Sequence, residues 1–116
     1  MANHGERRKY RRFEIPDGKI KIKKTSFYPV LNSGIGGINI LFDMELKTGK
    51  VIQFELIAPE EEPMKFNAKV IWTNPVPLSS DIITGFEFSP FDENKDHNSP
   101  EAMSLLRRLY ARYIDN

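Results

Sequence analysis

Apolar and polar residues alternate along most of this chain, which is the pattern of β-strands that bury one face and expose the other. The clearest case is residues 19–25, which read Lys-Ile-Lys-Ile-Lys-Lys-Thr. Successive side chains of a strand point to opposite faces, so Ile20 and Ile22 are predicted to be buried while the lysines face solvent. Further strands are predicted at residues 27–31, 37–42, 51–56, 64–72 and 83–88. The chain is therefore predicted to be mainly β.

Turn-forming residues separate the predicted strands. Residues 16–18 read Pro-Asp-Gly after a short apolar piece, residues 47–50 read Lys-Thr-Gly-Lys, and two prolines interrupt residues 74–81. Proline and glycine fix or permit the backbone angles that tight turns need. Evenly spaced strands with such connections indicate an antiparallel barrel, closed or partly closed.

Trp72 continues the alternation of the predicted strand at residues 64–72. Phe66, Ala68 and Val70 precede it at every second position, on the same predicted face. We therefore expect Trp72 to pack in the core or at a barrel end.

A C-terminal helix is predicted to begin at Ser99. Serine is a good N-cap residue, Pro100 fits the first helical position, and Glu101 lies where the helix macrodipole favours an acid. Large apolar side chains then recur at helical spacing: Met103, Leu106, Leu109, Tyr110 and Tyr113. We expect this helix to cap the barrel, and a partner-binding face is the alternative.

Length and composition limit the possible classes of protein. The chain has 116 residues and no cysteine, which favours one domain and excludes disulfide scaffolds, thiolate zinc sites and thiol catalysis. Its first residues are polar, and no run approaches the roughly 20 apolar residues of a membrane helix. We expect a cytoplasmic protein without membrane insertion.

Positive charge is concentrated near the N-terminus. The formal net charge is +1, but residues 1–24 carry nine Lys or Arg against three acids, so this part is +6 and the remainder −5. A positive segment on a mildly acidic body suits a compact anion better than a long polyanion. Residues 1–12 lack a hydrophobic period and are predicted to form a flexible basic arm.

Two segments have the chemistry of an anion site. Residues 7–12 read Arg-Arg-Lys-Tyr-Arg-Arg, and residues 32–37 read Asn-Ser-Gly-Ile-Gly-Gly. Arginine forks pair with phosphates or guanine edges, and glycines let a flat ligand approach the backbone. The glycines lie between predicted strands and lack the Gly-x-x-x-x-Gly-Lys-Ser/Thr and Gly-x-Gly-x-x-Gly patterns, so nucleoside triphosphate and NAD sites are rejected.

These segments resemble the PilZ family of cyclic di-GMP receptors. The resemblance consists of the Arg8-x-x-x-Arg12 pair, the Asn-x-Ser-x-x-Gly-like residues 32–37, and the later segments Lys-Val-Ile-Trp at 69–72 and Gly-Phe-Glu-Phe at 85–88. It implies a six-stranded antiparallel PilZ-like β-barrel with a C-terminal α-helix. It also implies a bacterial second messenger as ligand and a role in signalling, such as regulation of motility or biofilms.

The resemblance also implies the ligand-binding residues, which are Arg7, Arg8, Arg12, Asn32, Ser33, Gly34 and Gly37. Arginine can pair with O6 and N7 of guanine, and the Asn32 amide can both donate to and accept from a guanine edge. One position departs from the family pattern, because Gly34 stands where the family has serine and Ser33 lies one place early. The missing hydroxyl contact weakens the expected binding.

Chemistry for catalysis is hard to find in the sequence. His4 and His97 are interpreted as surface histidines without a carboxylate pair, triad or metal cluster. Glu60, Glu61 and Glu62 are interpreted as a solvated loop tip. We therefore predict a non-enzymatic protein without catalytic residues, metal or cofactor.

The leading hypothesis is a cyclic di-GMP receptor that acts through protein contacts. Residues 1–12 would form the arm that closes on the ligand, 13–92 the barrel, and 93–116 a loop and the helix packed on the barrel. The alternative is a PilZ-like adaptor that binds a protein partner with weak or lost nucleotide binding. A single-stranded nucleic-acid binder is less favoured, because most aromatic residues fall at core-like strand positions.

Overall fold

A computed structural model describes residues 11–114 as six β-strands and one α-helix. The elements are β1 (Lys19–Lys23), β2 (Ser26–Ser33), β3 (Gly37–Phe42), β4 (Val51–Ile57), β5 (Met64–Pro75), β6 (Ile82–Phe88) and α1 (Pro100–Tyr113). Each predicted strand is present, and the main difference is that β5 continues beyond the predicted strand to Pro75.

The strands form a closed barrel in the order β1-β2-β3-β6-β5-β4, and every neighbouring pair is antiparallel. Closure comes from β1, where Ile20 pairs with Tyr28 of β2 on one side and Leu56 of β4 on the other. The pairing of β3 with β6 joins the two halves of the chain. The predicted six-stranded antiparallel barrel with a C-terminal helix is confirmed.

Phenylalanine rings fill the barrel. Phe54 and Phe86 are almost completely buried, and their ring centroids lie 5.8 Å apart. Phe42 lies 5.9 Å from Phe86, and Phe66 lies 6.2 Å from Phe54. These separations are favourable for aromatic pairs. The inward-facing phenylalanines of four different strands therefore form one aromatic core.

Helix α1 packs at one end of the barrel. Ser99 Oγ accepts a hydrogen bond from the Ala102 backbone N–H at 3.2 Å, as the sequence predicts for the N-cap. The buried face of the helix consists of Ala102, Leu105, Leu106 and Leu109. Tyr110 meets the buried Phe13 ring edge to face, with centroids 6.0 Å apart.

The interpretation of residues 60–62 as a solvated loop tip is corrected at Glu61, while Glu60 and Glu62 are exposed. The Glu61 carboxylate accepts hydrogen bonds from Arg108 Nη2 at 2.9 Å and from Arg112 Nη2 at 2.7 Å. The hydrogen bond from Arg108, followed by that from Arg112, holds the pKa of Glu61 below its usual value. The β4–β5 loop is therefore tied to α1, an interaction that spans 47 residues of sequence between Glu61 and Arg108.

The two ends of the barrel differ. The helix end carries α1, the β4–β5 loop and the β2–β3 turn. The far end carries the β1–β2 turn at residues 24–25 and the β3–β4 loop at residues 43–50. Within residues 11–114, no helix has the length and apolar character that crossing a membrane requires. The predicted domain boundaries stay a prediction, because most of the 1–12 arm lies outside the described residues.

Asn98 connects the loop before α1 to the barrel. It is 1% exposed, and its Oδ1 accepts from the Asn67 backbone N–H at 2.6 Å. Its Nδ2 donates to the backbone carbonyls of Asn67 at 3.0 Å and Ser89 at 2.8 Å. One side chain therefore satisfies backbone groups from β5 and from the segment after β6.

We predict that Asn98→Ala lowers the free energy of unfolding by about 2–4 kcal/mol, because the partly buried Asn67 N–H and Ser89 carbonyl lose the partner that Asn98 supplies. Chemical denaturation of the full chain measures the change. The matched control is Asn74→Ala, which alters an exposed asparagine of β5 and is expected to stay within about 0.5 kcal/mol of the parent. Equal stabilities for the two variants would contradict the role assigned to Asn98.

Candidate functional site

The glycine-rich segment forms the β2–β3 turn, and the chain before β1 lies directly against it. Phe13 and Ser33 exchange two backbone hydrogen bonds, each 2.8 Å long. Across the turn, the Gly34 N–H donates to the Gly37 carbonyl at 2.8 Å. The end of the predicted arm is thus held beside the glycine-rich turn by backbone pairing.

Arg12 lies over this turn and contacts two predicted site residues. Its Nη1 donates to the Gly37 carbonyl at 3.3 Å and to Asn32 Oδ1 at 3.5 Å. Asn32 Oδ1 also accepts from Asn39 Nδ2 at 2.9 Å. The structure therefore brings Arg12, Asn32 and Gly37 together, although 25 residues separate Arg12 from Gly37 in sequence.

Gly37 is required by the backbone around it. A Cβ at this position would lie 2.3 Å from the Phe86 carbonyl oxygen, in the neighbouring strand β6. The absence of a side chain lets β3 and β6 approach closely here. Gly37 also presents its carbonyl to Arg12 and to Ser33 Oγ, so it shapes the site through its backbone.

Ser33 points into the protein. It is 0% exposed, and its Oγ donates to the carbonyls of Gly34 at 3.1 Å and Gly37 at 3.3 Å. In this position its hydroxyl fastens the turn and does not reach the outer face where Asn32 lies. Its predicted contact with a ligand stays a prediction that this orientation does not favour.

Gly34 lies beneath the arm. A Cβ built there would meet the Arg11 carbonyl oxygen at 3.7 Å and Arg12 Cγ at 3.8 Å, which are ordinary contact distances. A Cβ at this position therefore displaces none of its neighbours. Arg7 and Arg8, the remaining predicted site residues, lie outside the described residues.

Trp72 is on the outer face, which corrects the expectation that it packs in the core or at a barrel end. The β5–β6 pairing shifts register between Val70 and Trp72, and an extra residue in one strand reverses the face of the positions that follow it. The indole lies across Gly85, where a Cβ would come within 2.3 Å of its ring atoms. With 39% of its surface exposed, Trp72 offers an aromatic surface to a ligand.

Asn39 is a candidate residue that the sequence interpretation missed. Register aligns Asn32 with Asn39, Asn39 with Gly85, and Gly85 with Trp72 across four strands. Asn39 Oδ1 is buried and has no hydrogen-bond partner within the described part of the chain. Its position between the buried Ile38 and Ile40 was the available signal, since alternation places it on the outer face.

The arrangement combines a guanidinium, two side-chain amides and an aromatic ring along one outer row of the barrel. Such groups suit a ligand that carries both anionic oxygens and flat heterocycles with polar edges. His97 lies apart from this row and pairs with Asp92 at 2.9 Å. Among residues 11–114, no group of three or more His, Cys, Asp or Glu side chains is placed to hold a metal ion.

Comparison with known proteins shows the family of this chain. The sequence model of the PilZ domain family matches residues 6–111. The chain therefore belongs to the PilZ domain family. A comparison with curated proteins gives no match.

Solved structures share the fold. The Bacillus subtilis inhibitor of motility MotI/DgrA matches with a TM-score of 0.67 and 19% identity, over 90% of this chain and 50% of that one. Escherichia coli YcgR, solved in complex with c-di-GMP, matches with a TM-score of 0.68 and 21% identity, over 91% of this chain and 45% of that one. The chain thus spans about half the length of these two proteins or slightly less.

The two neighbouring glycines of the turn are predicted to respond differently to substitution. Gly37→Ala should lower the free energy of unfolding by about 2–3 kcal/mol, because its methyl group overlaps the backbone of β6. Gly36 has no heavy atom within 4 Å of an added Cβ, so Gly36→Ala should change stability by less than about 0.5 kcal/mol. Thermal and chemical unfolding of both variants measure the difference, and similar losses would contradict it.

Proposed function

We propose that this chain is a non-catalytic receptor for cyclic di-GMP. The observation that carries the proposal is the meeting of Arg12 with Asn32 and Gly37 at the turn between β2 and β3. These are positions at which the PilZ resemblance implies ligand contacts. The solved complex of the structurally similar YcgR with c-di-GMP supports the same class of ligand.

The chemistry of the row fits the parts of this ligand. Arg12 offers a planar fork to a phosphate or to the O6 and N7 edge of guanine. Asn32 and Asn39 carry amide groups for base edges, and the exposed Trp72 ring is a surface on which a base can stack. The site then recognises guanine by its edge and its face, and the phosphates by charge.

We further propose that Arg7 and Arg8 complete the site when the arm closes on the ligand. Phe13 is anchored by its pairing with Ser33, so the residues before Arg12 start next to the glycine-rich turn. Ordering a flexible segment costs about 1–2 kcal/mol per residue. Several charge-assisted hydrogen bonds from the arginines must therefore offset that cost, and the position of the closed arm is the signal passed to a protein partner.

We predict that Arg12→Ala and Arg8→Ala each weaken cyclic di-GMP binding about tenfold to a hundredfold. The estimate follows from about 1.5–3 kcal/mol for hydrogen bonds to a charged group and about 1.4 kcal/mol per tenfold change in affinity. Isothermal calorimetry at a fixed salt concentration measures binding. The fluorescence of Trp72, the chain's single tryptophan, gives an independent readout at the site.

Arg107→Ala is the matched control for these two variants. Arg107 is an exposed arginine of α1, so its removal changes the net charge equally without touching the row. Its affinity should match that of the parent chain. If the parent chain gives neither binding heat nor a fluorescence change with cyclic di-GMP, the receptor function is wrong. If Arg8→Ala and Arg12→Ala lose no more affinity than Arg107→Ala, these two arginines do not belong to the site.

Gly34→Ser is predicted to strengthen binding. The pattern of the PilZ family has serine here, and a Cβ at this position meets its neighbours only at ordinary contact distances. A restored hydroxyl contact is worth about 0.5–1.5 kcal/mol, or about 1.5–3 kcal/mol if it meets a phosphate. The affinity should therefore increase by a factor that lies between a few-fold and about a hundredfold. Gly36→Ser is the control in the same turn. An affinity for Gly34→Ser no higher than that of the parent would contradict the proposal.

An adaptor that binds a protein without needing nucleotide is the second candidate function. Gly34 favours it, because the hydroxyl expected at this position is absent and Ser33 faces inward. Partner binding that is unchanged by saturating cyclic di-GMP would select the adaptor. A partner affinity that depends on nucleotide in the parent and not in Arg12→Ala would select the receptor.

A further inference from the structure

The far end of the barrel contains an apolar depression of about 210 Å³. It lies between the β1–β2 turn and the β3–β4 loop, away from α1 and Arg12. Its apolar lining consists of Ile22, Tyr28, Phe42, Met44, Leu46 and Ile52. Lys23 and Lys50 also line it, and both are exposed.

Met44, which lines the far-end depression, and two neighbours in sequence of its lining residues are exposed apolar side chains. Met44 is 55% exposed, Val51 56% and Phe27 47%. Val51 follows Lys50 at the start of β4, and Phe27 is the second residue of β2. Apolar groups gathered around a concavity and bordered by charged residues mark an interaction surface more often than scattered exposed residues do.

The rim of the depression is cationic. Lys23 at the end of β1 and Lys50 at the end of the β3–β4 loop line it, and Lys24 follows Lys23 in the β1–β2 turn. On the adjoining outer face, Lys21 Nζ lies 5.9 Å from the centre of the Phe27 ring. The same loop also contributes two acids, Asp43 and Glu45, so the rim is positive without being uniformly so.

We propose that the far-end depression docks an acidic segment of a partner protein. One large apolar side chain of the partner fills the depression, and neighbouring Asp or Glu residues pair with Lys23 and Lys50. A buried apolar anchor surrounded by a polar rim is the usual arrangement of an energetically important contact between proteins. The inference goes beyond cyclic di-GMP binding and does not rest on it.

A protein segment fits this surface better than a membrane does. The depression is concave and accepts a projecting side chain, whereas a bilayer surface has to be entered by projecting protein groups. Asp43 and Glu45 would also face a uniformly anionic lipid surface, while a partner of defined sequence can place its acids only opposite the lysines. The charge pattern and the shape of the depression therefore both favour a segment of a partner protein.

The depression is separated from the nucleotide site by the length of the barrel. Strand β3 runs from Gly37 at the turn beneath Arg12 to Phe42 in the depression, and five residue steps of a strand cover roughly 17 Å. A partner at the far end therefore leaves the Arg12 end open to its own ligand. The two surfaces can be tested separately.

The first test selects random twelve-residue peptides displayed on phage against the full chain. Selected peptides should carry Asp or Glu on both sides of at least one Leu, Ile, Phe or Trp. Their affinity should fall about tenfold for the double variant Lys23→Glu/Lys50→Glu, because attraction at the rim becomes repulsion. Lys95→Glu alters an exposed lysine before α1 and should leave affinity within about twofold of the parent.

The second test locates a selected peptide on the ¹⁵N-labelled chain by nuclear magnetic resonance, with and without cyclic di-GMP. Amide shifts should centre on Ile22, Leu46 and Ile52, and a peptide with its apolar residues changed to serine should not cause them. Failure of nucleotide binding leaves this result unaffected, so the two proposals fail separately.

Three outcomes would overturn the docking proposal. The first is a selection that yields no peptides, or peptides without the acidic and apolar pattern. The second is a set of shifts centred on Asn32 or α1. The third is that the parent chain sediments with phosphatidylglycerol vesicles, the Lys23→Glu/Lys50→Glu variant does not, and no peptide binds. That result would assign the surface to a membrane.

Discussion

The pairing of Phe13 with Ser33 determines how the parts of the site meet. Its two backbone hydrogen bonds fix the chain against the β2–β3 turn, and the buried Phe13 ring is also held against Tyr110 of α1. Because Arg12 immediately precedes this anchored residue, its guanidinium reaches the turn without a long flexible connection. The barrel, the helix and the basic segment therefore share one point of attachment, and the candidate site lies on it.

Much of the fold follows from local patterns in the sequence. Alternation located all six strands, and Ser99 with Pro100 located the start of α1, because these signals depend on neighbouring residues. The order of the strands in the barrel cannot be predicted from local patterns, because the pairing of β3 with β6 and of β1 with β4 depends on contacts between residues distant in sequence. The ion pairs of Glu61 with the helix were missed for the same reason. A strictly alternating pattern also cannot show the register shift that turns Trp72 outward.

The site was predictable in part. The spacing of arginines and the glycine-rich motif indicated Arg12, Asn32 and Gly37, which the structure brings together. The direction of Ser33 was not evident, because it depends on how its hydroxyl bonds within the turn. Asn39 and Trp72 join the row only through the registers of β3, β6 and β5. Motif residues were thus easier to identify than residues that strand pairing places beside them.

Closure of the barrel limits how this protein can recognise another. Each of the six strands has a hydrogen-bonded neighbour on both sides, so no strand offers a whole free edge to which a foreign strand could add. Recognition by backbone extension, which tolerates many sequences, is thereby confined to short stretches such as residues 71–75 of β5, which lie beyond the pairing with β4. Along the rest of the barrel wall, a partner is distinguished by the shape and charge of side chains, and mutations that alter those side chains can change which partner binds while the strand pairing stays intact.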